Sequence, residues 1–278
     1  MAVFNLSQCR PICRRVFALI LAVVIVSACA QVPITRRSGL HLVPNAELAT
    51  MSLEQYRAVL GKSQLSTNAR QVAMVRQVGT RIANAAEALL KETGAGDAIA
   101  NYHWEFNLIQ DDKTVNAWVM PGGKAAVYTG ILPYTRDETG LAVVLGHEVA
   151  HALAGHGNER LSQGLLTQLG GTALSVALQS QPQLTQTLFM EAFGVGTSVG
   201  FLLPYSRLHE SEADRIGLTL MARAGYDPRE AIPFWQRMQA QKQSRPPEFL
   251  STHPAPETRI RNIQSYLAEA LPYYQKSN

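Results

Sequence analysis

Between Thr67 and Leu90 the apolar residues Val72, Val75, Val78, Ile82, Ala86 and Leu89 recur every three or four positions. That spacing puts them on one face of an amphipathic helix, which Gly94 and Gly96 then stop. The period changes to two in His103-Trp104-Glu105-Phe106-Asn107-Leu108, with Trp104, Phe106 and Leu108 on one side, and this predicts a half-buried strand. Two more short strands are expected near 115–119 and 124–129, joined by Pro121-Gly122-Gly123. Helical spacing returns at about 138–155, 208–224 (closed by Gly225), 228–243 (opened by Asp227-Pro228) and 256–270. The order predicts an α+β, mainly helical domain with a small sheet of about three strands ahead of the 138–155 helix.

Two stretches break the pattern. Residues 30–48 mix Pro33, Gly39 and Pro44 with polar residues and show no period, so they read as a tether. Between Arg160 and Arg207 the only charge is Glu191, and the longest apolar run, 192–203, is too short for a membrane span. Two buried or groove-lining helices fit this segment, with a membrane-surface segment as the alternative. The chain divides into a leader over 1–28, a tether with a short helix over 29–64, and one domain over 65–278.

With 278 residues, 46% hydrophobic and 17% charged, the composition is globular. The net charge of +4 includes Arg10, Arg14 and Arg15 of the leader, which has no acid, so the rest of the chain carries only +1. No nucleic-acid partner is indicated. The three cysteines, Cys9, Cys13 and Cys29, all precede residue 30, which leaves His and carboxylate as the only metal ligands in the body of the chain.

Residues 16–26 form an uncharged apolar run after a basic start, the length of a signal-peptide core. The run ends in Val26-Ser27-Ala28-Cys29, which resembles a bacterial lipobox. That resemblance implies lipidation of Cys29 and stable membrane anchoring through more than one acyl chain. Ala30 after the cysteine implies sorting to the periplasmic face of the outer membrane. An ordinary signal peptide cut after Ala28 or Ala30 is the alternative.

The chemistry concentrates in Gly146-His147-Glu148-Val149-Ala150-His151. On a helix, His147 and His151 project from one face and reach one zinc ion, while Glu148 is placed to take a proton from a water activated there. A catalytic zinc takes three protein ligands and keeps a fourth position open. His156, five residues past His151, falls about 140° round a continuous helix and does not qualify. The pattern with Gly at 154 and His at 157 is also absent, because those positions hold Ala154 and Gly157. Glu210 and Asp214, four apart on a predicted helix, supply a carboxylate ligand and a partner that orients a histidine. Glu212 is the rival ligand, pointing away from Glu210 by its spacing. One zinc per chain and a gluzincin pattern result.

These strings, together with His156-xx-Glu159-Arg160, Ser206-Arg207, His253-Pro254 and Arg259-Ile260, resemble the zinc metallopeptidases related to the CAAX prenyl protease and HtpX, and most closely their lipid-anchored periplasmic branch. Asn116-Ala117-Trp118 and Pro121-Gly122-Gly123 match the strand and turn ahead of the active-site helix. The resemblance covers about 65–270 and implies a zincin-like domain. It assigns zinc to His147, His151 and Glu210, the general base to Glu148, and orientation of His147 to Asp214. Its implied activity is hydrolysis of peptide bonds in misfolded or stalled envelope proteins. An outer-membrane assembly factor that uses the peptidase fold for binding is the alternative. Tyr205, Arg207 and His253 are the candidate donors to the oxyanion, and His253 has a second reading as a removable fourth zinc ligand. An extended substrate is expected to add to the edge of the 124–129 strand.

Overall fold

The computed structural model describes residues 29–32, 34–170, 173–195, 207–240, 248–253 and 258–277. The leader, Tyr205 and most of the 192–203 run lie outside the described residues.

A mixed sheet of three strands is built from β3 (Glu105–Ile109), β4 (Ala117–Met120) and β5 (Lys124–Tyr128), in the order β3-β5-β4. β5 runs parallel to β3 and antiparallel to β4. It is therefore paired on both sides and offers no edge, contrary to the expectation for 124–129. The edges belong to β3, bridged at Ile109 by Leu65, and to β4, which pairs among the described residues only with β5. The β4–β5 turn needs its glycines: Gly122 and Gly123 have φ of +79° and +81°, and a Cβ on Gly123 would come within 2.7 Å of the Trp104 ring.

Alternation gives both faces of the sheet a core. Phe106, Leu108, Ala117, Val119, Ala125 and Val127 join the larger one with α2 (Ala69–Glu92) and α4 (Glu138–Leu153). Trp118, Met120 and Ala126 face the smaller one with α1 (Asn45–Lys62) and the helices after 156. Asn68 caps α2 by accepting from the Gln71 N–H at 3.2 Å, and Asp137 caps α4 by accepting from Gly140 at 3.0 Å. A one-turn helix, α3 (Leu132–Thr135), leads into α4.

The described residues of 30–48, a stretch expected to be a tether, are folded. β1 (Cys29–Gln31) and β2 (Ser38–Leu40) form an antiparallel pair, and Val32, Val43 and Leu48 are buried. Single polar contacts rather than a periodic face seat this stretch: Leu42 N–H donates to Ser162 Oγ at 3.0 Å, and Asn158 donates to the Val43 carbonyl at 2.9 Å. Among the described residues, three helices occupy the charge-poor region where two were expected: α5 (His156–Leu169), α6 (Leu174–Ser180) and α7 (Pro182–Ala192).

α8 (Arg207–Arg223) lies against α4 with glycine facing glycine: a Cβ on Gly217 would sit 3.0 Å from the Gly146 carbonyl carbon. This close backbone approach brings the two motif-bearing helices together immediately beside His147. α9 (Ala231–Ala240), α10 (Glu248–Thr252) and α11 (Thr258–Ser277) complete the chain, with α11 packed along α8. No helix among the described residues is long and apolar enough to cross a membrane.

Candidate metal centre

α4 presents His147, Glu148 and His151, α8 presents Glu210 and Asp214, and the chain just after α10 presents His253. Donor atoms of His147, His151, Glu210 and His253 all lie within 4.8 Å of one another, and all four residues are buried. His147 Nε2 is 3.0 Å from His151 Nε2 and 3.2 Å from His253 Nδ1. Glu210 Oε1 is 3.0 Å from His253 Nδ1 and 3.3 Å from His151 Nε2. A tetrahedral zinc with metal–nitrogen bonds of about 2.05 Å has ligand–ligand edges of about 3.3 Å, so the donor set fits that ion. The fit is also chemical. His147 Nδ1 lies 3.0 Å from Asp214 Oδ1, which places the proton on Nδ1 and turns the Nε2 lone pair towards the cluster. Donor atoms converging so closely in a buried space suit a bound cation.

Charges around the cluster are arranged to match. Arg259, buried on α11, clamps Asp214 through Nε (2.9 Å) and Nη2 (2.7 Å) and donates to Glu210 Oε2 through Nη1 (2.8 Å). Its guanidinium also lies 3.5 Å from the centre of the Trp235 ring. Burial opposes ionisation of Glu210, but His253 and Arg259 outweigh it and hold the carboxyl well below its usual range. Burial likewise disfavours charge on His147, yet Asp214 and Glu210 raise it to about 9. Glu148 has the opposite balance: burial pushes it up against the pull of His253 and His147. Its Oε1 has no hydrogen bond and lies 3.3 Å from His253 Nε2.

His156 is placed by a break that helical spacing alone does not show. Gly155 takes φ of +69° and ends α4, so His156 opens a new helix and turns back towards the site. Its Nδ1 lies 2.8 Å from His151 Nδ1, and its Nε2 lies 2.9 Å from Glu212 Oε2. It is outside the donor set but touches a member of it. Burial takes His156 down to about 4, against the pull of Glu212, so the ring is neutral near pH 7. Glu212 is turned away from the donor set to His156. Arg207 is exposed at the start of α8, and the guanidinium at the cluster is that of Arg259. The sequence contained Arg259 only as part of a recognised string, and nothing in its spacing announced the clamp.

A cleft of about 190 Å³ is lined by Val119, Pro121, Tyr102, Gly155 and Phe193, among others, and touches the donor set at His151. Tyr128 N–H donates to the Asn116 carbonyl at 3.1 Å, which fixes the alternation of the β4–β5 ladder. The N–H and C=O of Val119 consequently point to the open edge of β4.

A helix-borne His-Glu-x-x-His joined to a downstream glutamate on a mainly helical α+β domain is the site of a zinc metallopeptidase. The chain belongs to peptidase family M48, whose sequence pattern matches residues 69–267. Over 184 residues it is 39% identical to the mitochondrial metalloendopeptidase OMA1 of Schizosaccharomyces pombe, covering 66% of this chain and 52% of that one. The OMA1 of Saccharomyces cerevisiae is 30% identical over 256 residues, 89% of this chain and 72% of the relative. The beta-barrel assembly-enhancing protease of Escherichia coli is 31% identical over 186 residues, 63% of this chain and 37% of the relative. The chain thus spans about half the length of the fission yeast relative and just over a third of the E. coli one.

Proposed function

We propose that this chain is a lipid-anchored zinc endopeptidase of the cell envelope, acting at the periplasmic face of the outer membrane on unfolded or misassembled envelope proteins. The observation that carries the hydrolytic part is the buried donor set of His147, His151 and Glu210 with an unbonded Glu148 oxygen beside it. A binding-only role gives no reason to bury a carboxylate there at a desolvation cost. The envelope part rests on the basic, apolar leader and Cys29, and on likeness to the E. coli protease.

Zinc, which His147, His151 and Glu210 would hold, would supply the Lewis acidity to activate a water and polarise the scissile carbonyl. Asp214 fixes the His147 tautomer, and Arg259 fixes Asp214. Glu148 accepts the proton of the attacking water and returns it to the leaving amine. The His253 donor atom beside those of His147, His151 and Glu210 supports its reading as a removable fourth ligand, which would have to leave before substrate enters. An extended substrate adds to β4 at Val119 and runs towards His151.

The test is zinc content and casein cleavage measured together on the wild type, Glu148→Gln, His253→Ala and the double variant. The expected outcome is one zinc per chain throughout, faster cleavage in His253→Ala, and a loss of about 10²–10⁴-fold wherever Glu148 is replaced. Slower cleavage in a folded His253→Ala would make His253 the oxyanion donor instead. Absence of zinc from the wild type would overturn the metal reading.

A further inference from the structure

Seven histidines occur in the chain, and two of the buried ones, His156 and His209, belong to a network the hydrolytic machinery does not use. His209 Nε2 lies 3.0 Å from Glu159 Oε2, and its ring stacks on that of His156 at 4.3 Å between centroids. The two carboxylates of the network, Glu159 and Glu212, are both buried and come from different helices, α5 and α8. One side chain joins them, and it comes from the N-terminal segment. Arg37 donates from Nη2 and Nη1 to Glu159 at 2.6 and 3.1 Å and from Nε to Glu212 at 2.8 Å. The Thr35 hydroxyl donates to the other Glu212 oxygen.

The local backbone is shaped for this seat. A Cβ on Gly39 would lie 2.1 Å from Glu159 Oε1, and one on Gly155 would lie 2.2 Å from the His41 ring. Only glycine lets β2 and the α4–α5 turn approach so closely.

One hydrogen-bond direction through the network follows from its obligate donor. Arg37 can only donate, so it holds Glu212 as an acceptor, the Thr35 hydroxyl donates to it too, and Glu212 takes the His156 Nε2–H. His156 Nδ1 then carries a lone pair and accepts from His151 Nδ1–H. That leaves His151 Nε2 unprotonated and directed at the donor set, the form a metal needs.

We propose that residues 34–41 form a strap that is part of the metal centre, with Arg37 as a positioning residue that sets the His151 tautomer through Glu212 and His156. This rests on the metal reading above. On the opposite side of the site, Asp214 and Arg259 do for His147 what Glu212, His156 and Arg37 do for His151. The two ligand histidines of α4 are thus oriented from the two ends of the chain, one from the strap and the other from α11. A force or cleavage that lifts the strap lowers metal affinity without touching a ligand.

The test uses the full chain. Zinc affinity is measured by competition with a chromophoric chelator, and the visible spectrum of the cobalt-substituted protein reports the geometry of the donor set. Arg37→Ala is expected to weaken zinc by about 10–100-fold and to shift the cobalt bands. Arg37→Lys, which lacks the planar fork, falls between it and the wild type. Thr35→Val gives a smaller loss in the same direction and decides the matter if Arg37→Ala does not fold. Arg223→Ala, which breaks a surface pair with Glu92, is expected to change neither reading. Unchanged zinc affinity and cobalt spectrum in a folded Arg37→Ala chain would overturn the strap's role while leaving the metal centre standing. A wild type that binds no zinc would overturn both.

Discussion

Arg259 compensates two buried carboxylates at once, Asp214 and Glu210, and is itself almost wholly buried. Removing such a group does not simply delete contacts. It leaves two anions in a low-dielectric space, a loss that runs to about 3–5 kcal/mol when one partner of a buried pair is taken away. Arg259→Ala is therefore expected to be less stable by that order in chemical denaturation, and to bind zinc more weakly because Asp214 no longer holds His147. Normal stability with normal zinc affinity would show that the clamp is dispensable. The two kinds of residue here differ in how visible they are in sequence. His147 and His151, like Glu210 and Asp214, are separated by one helical turn, so periodicity alone puts each pair on one face, with Glu148 next to the first histidine. Arg259 meets its partners across 45 and 49 positions, and Arg37 meets Glu212 across 175. No local rule encodes those encounters.

Element by element, the helices and strands were readable where one face is buried, as in α2 and β3, because the apolar period survives. The order of the strands was not. The chain runs from β3 past β5's place to the edge strand β4 and then folds back, so β5 inserts between them. Nothing in the residues of 124–129 distinguishes a central strand from an edge, since both are apolar on both faces here. The consequence is functional, because the open edge is at β4. Val119→Pro removes the outward N–H while sparing the ladder to β5, and proline is tolerated on such an edge. We expect the variant to fold and bind zinc, and to cleave unfolded protein about 10-fold more slowly, the worth of roughly one backbone hydrogen bond to substrate. Unimpaired cleavage would place the substrate elsewhere. Gly155 is the matching case among helices: read as one continuous helix, α4 and α5 throw His156 to the far side, and a single left-handed residue brings it back against His151.

For the molecule as a whole, the sheet separates two cores, and the N-terminal segment, besides burying Val32 and Val43, closes over the junction of α5 and α8 through a charged network. That makes the closure sensitive to acid in a way the cores are not. Burial works against the charged forms of Glu159 and Glu212. Hydrogen bonds from His209 and Arg37 to the first, and from His156, Thr35 and Arg37 to the second, nevertheless bring each carboxyl to about 2 from an ordinary 4.5. A depressed folded-state pKa contributes stability that is complete above the unfolded value and is lost as pH falls towards the folded one. For the two carboxyls that window runs from 4.5 down to about 2. His156, lowered from 6.5 to about 4, adds an earlier loss in the same direction, because the unfolded ring takes up its proton first. Thermal unfolding followed in steps from pH 7 to pH 2 is thus expected to show a midpoint that falls in two overlapping stages. Glu159→Gln starts lower at pH 7, since Arg37 and His209 lose their anion, but loses less below pH 4.5. If the variant instead tracks the wild type through that range, the acid-sensitive closure is not at the strap.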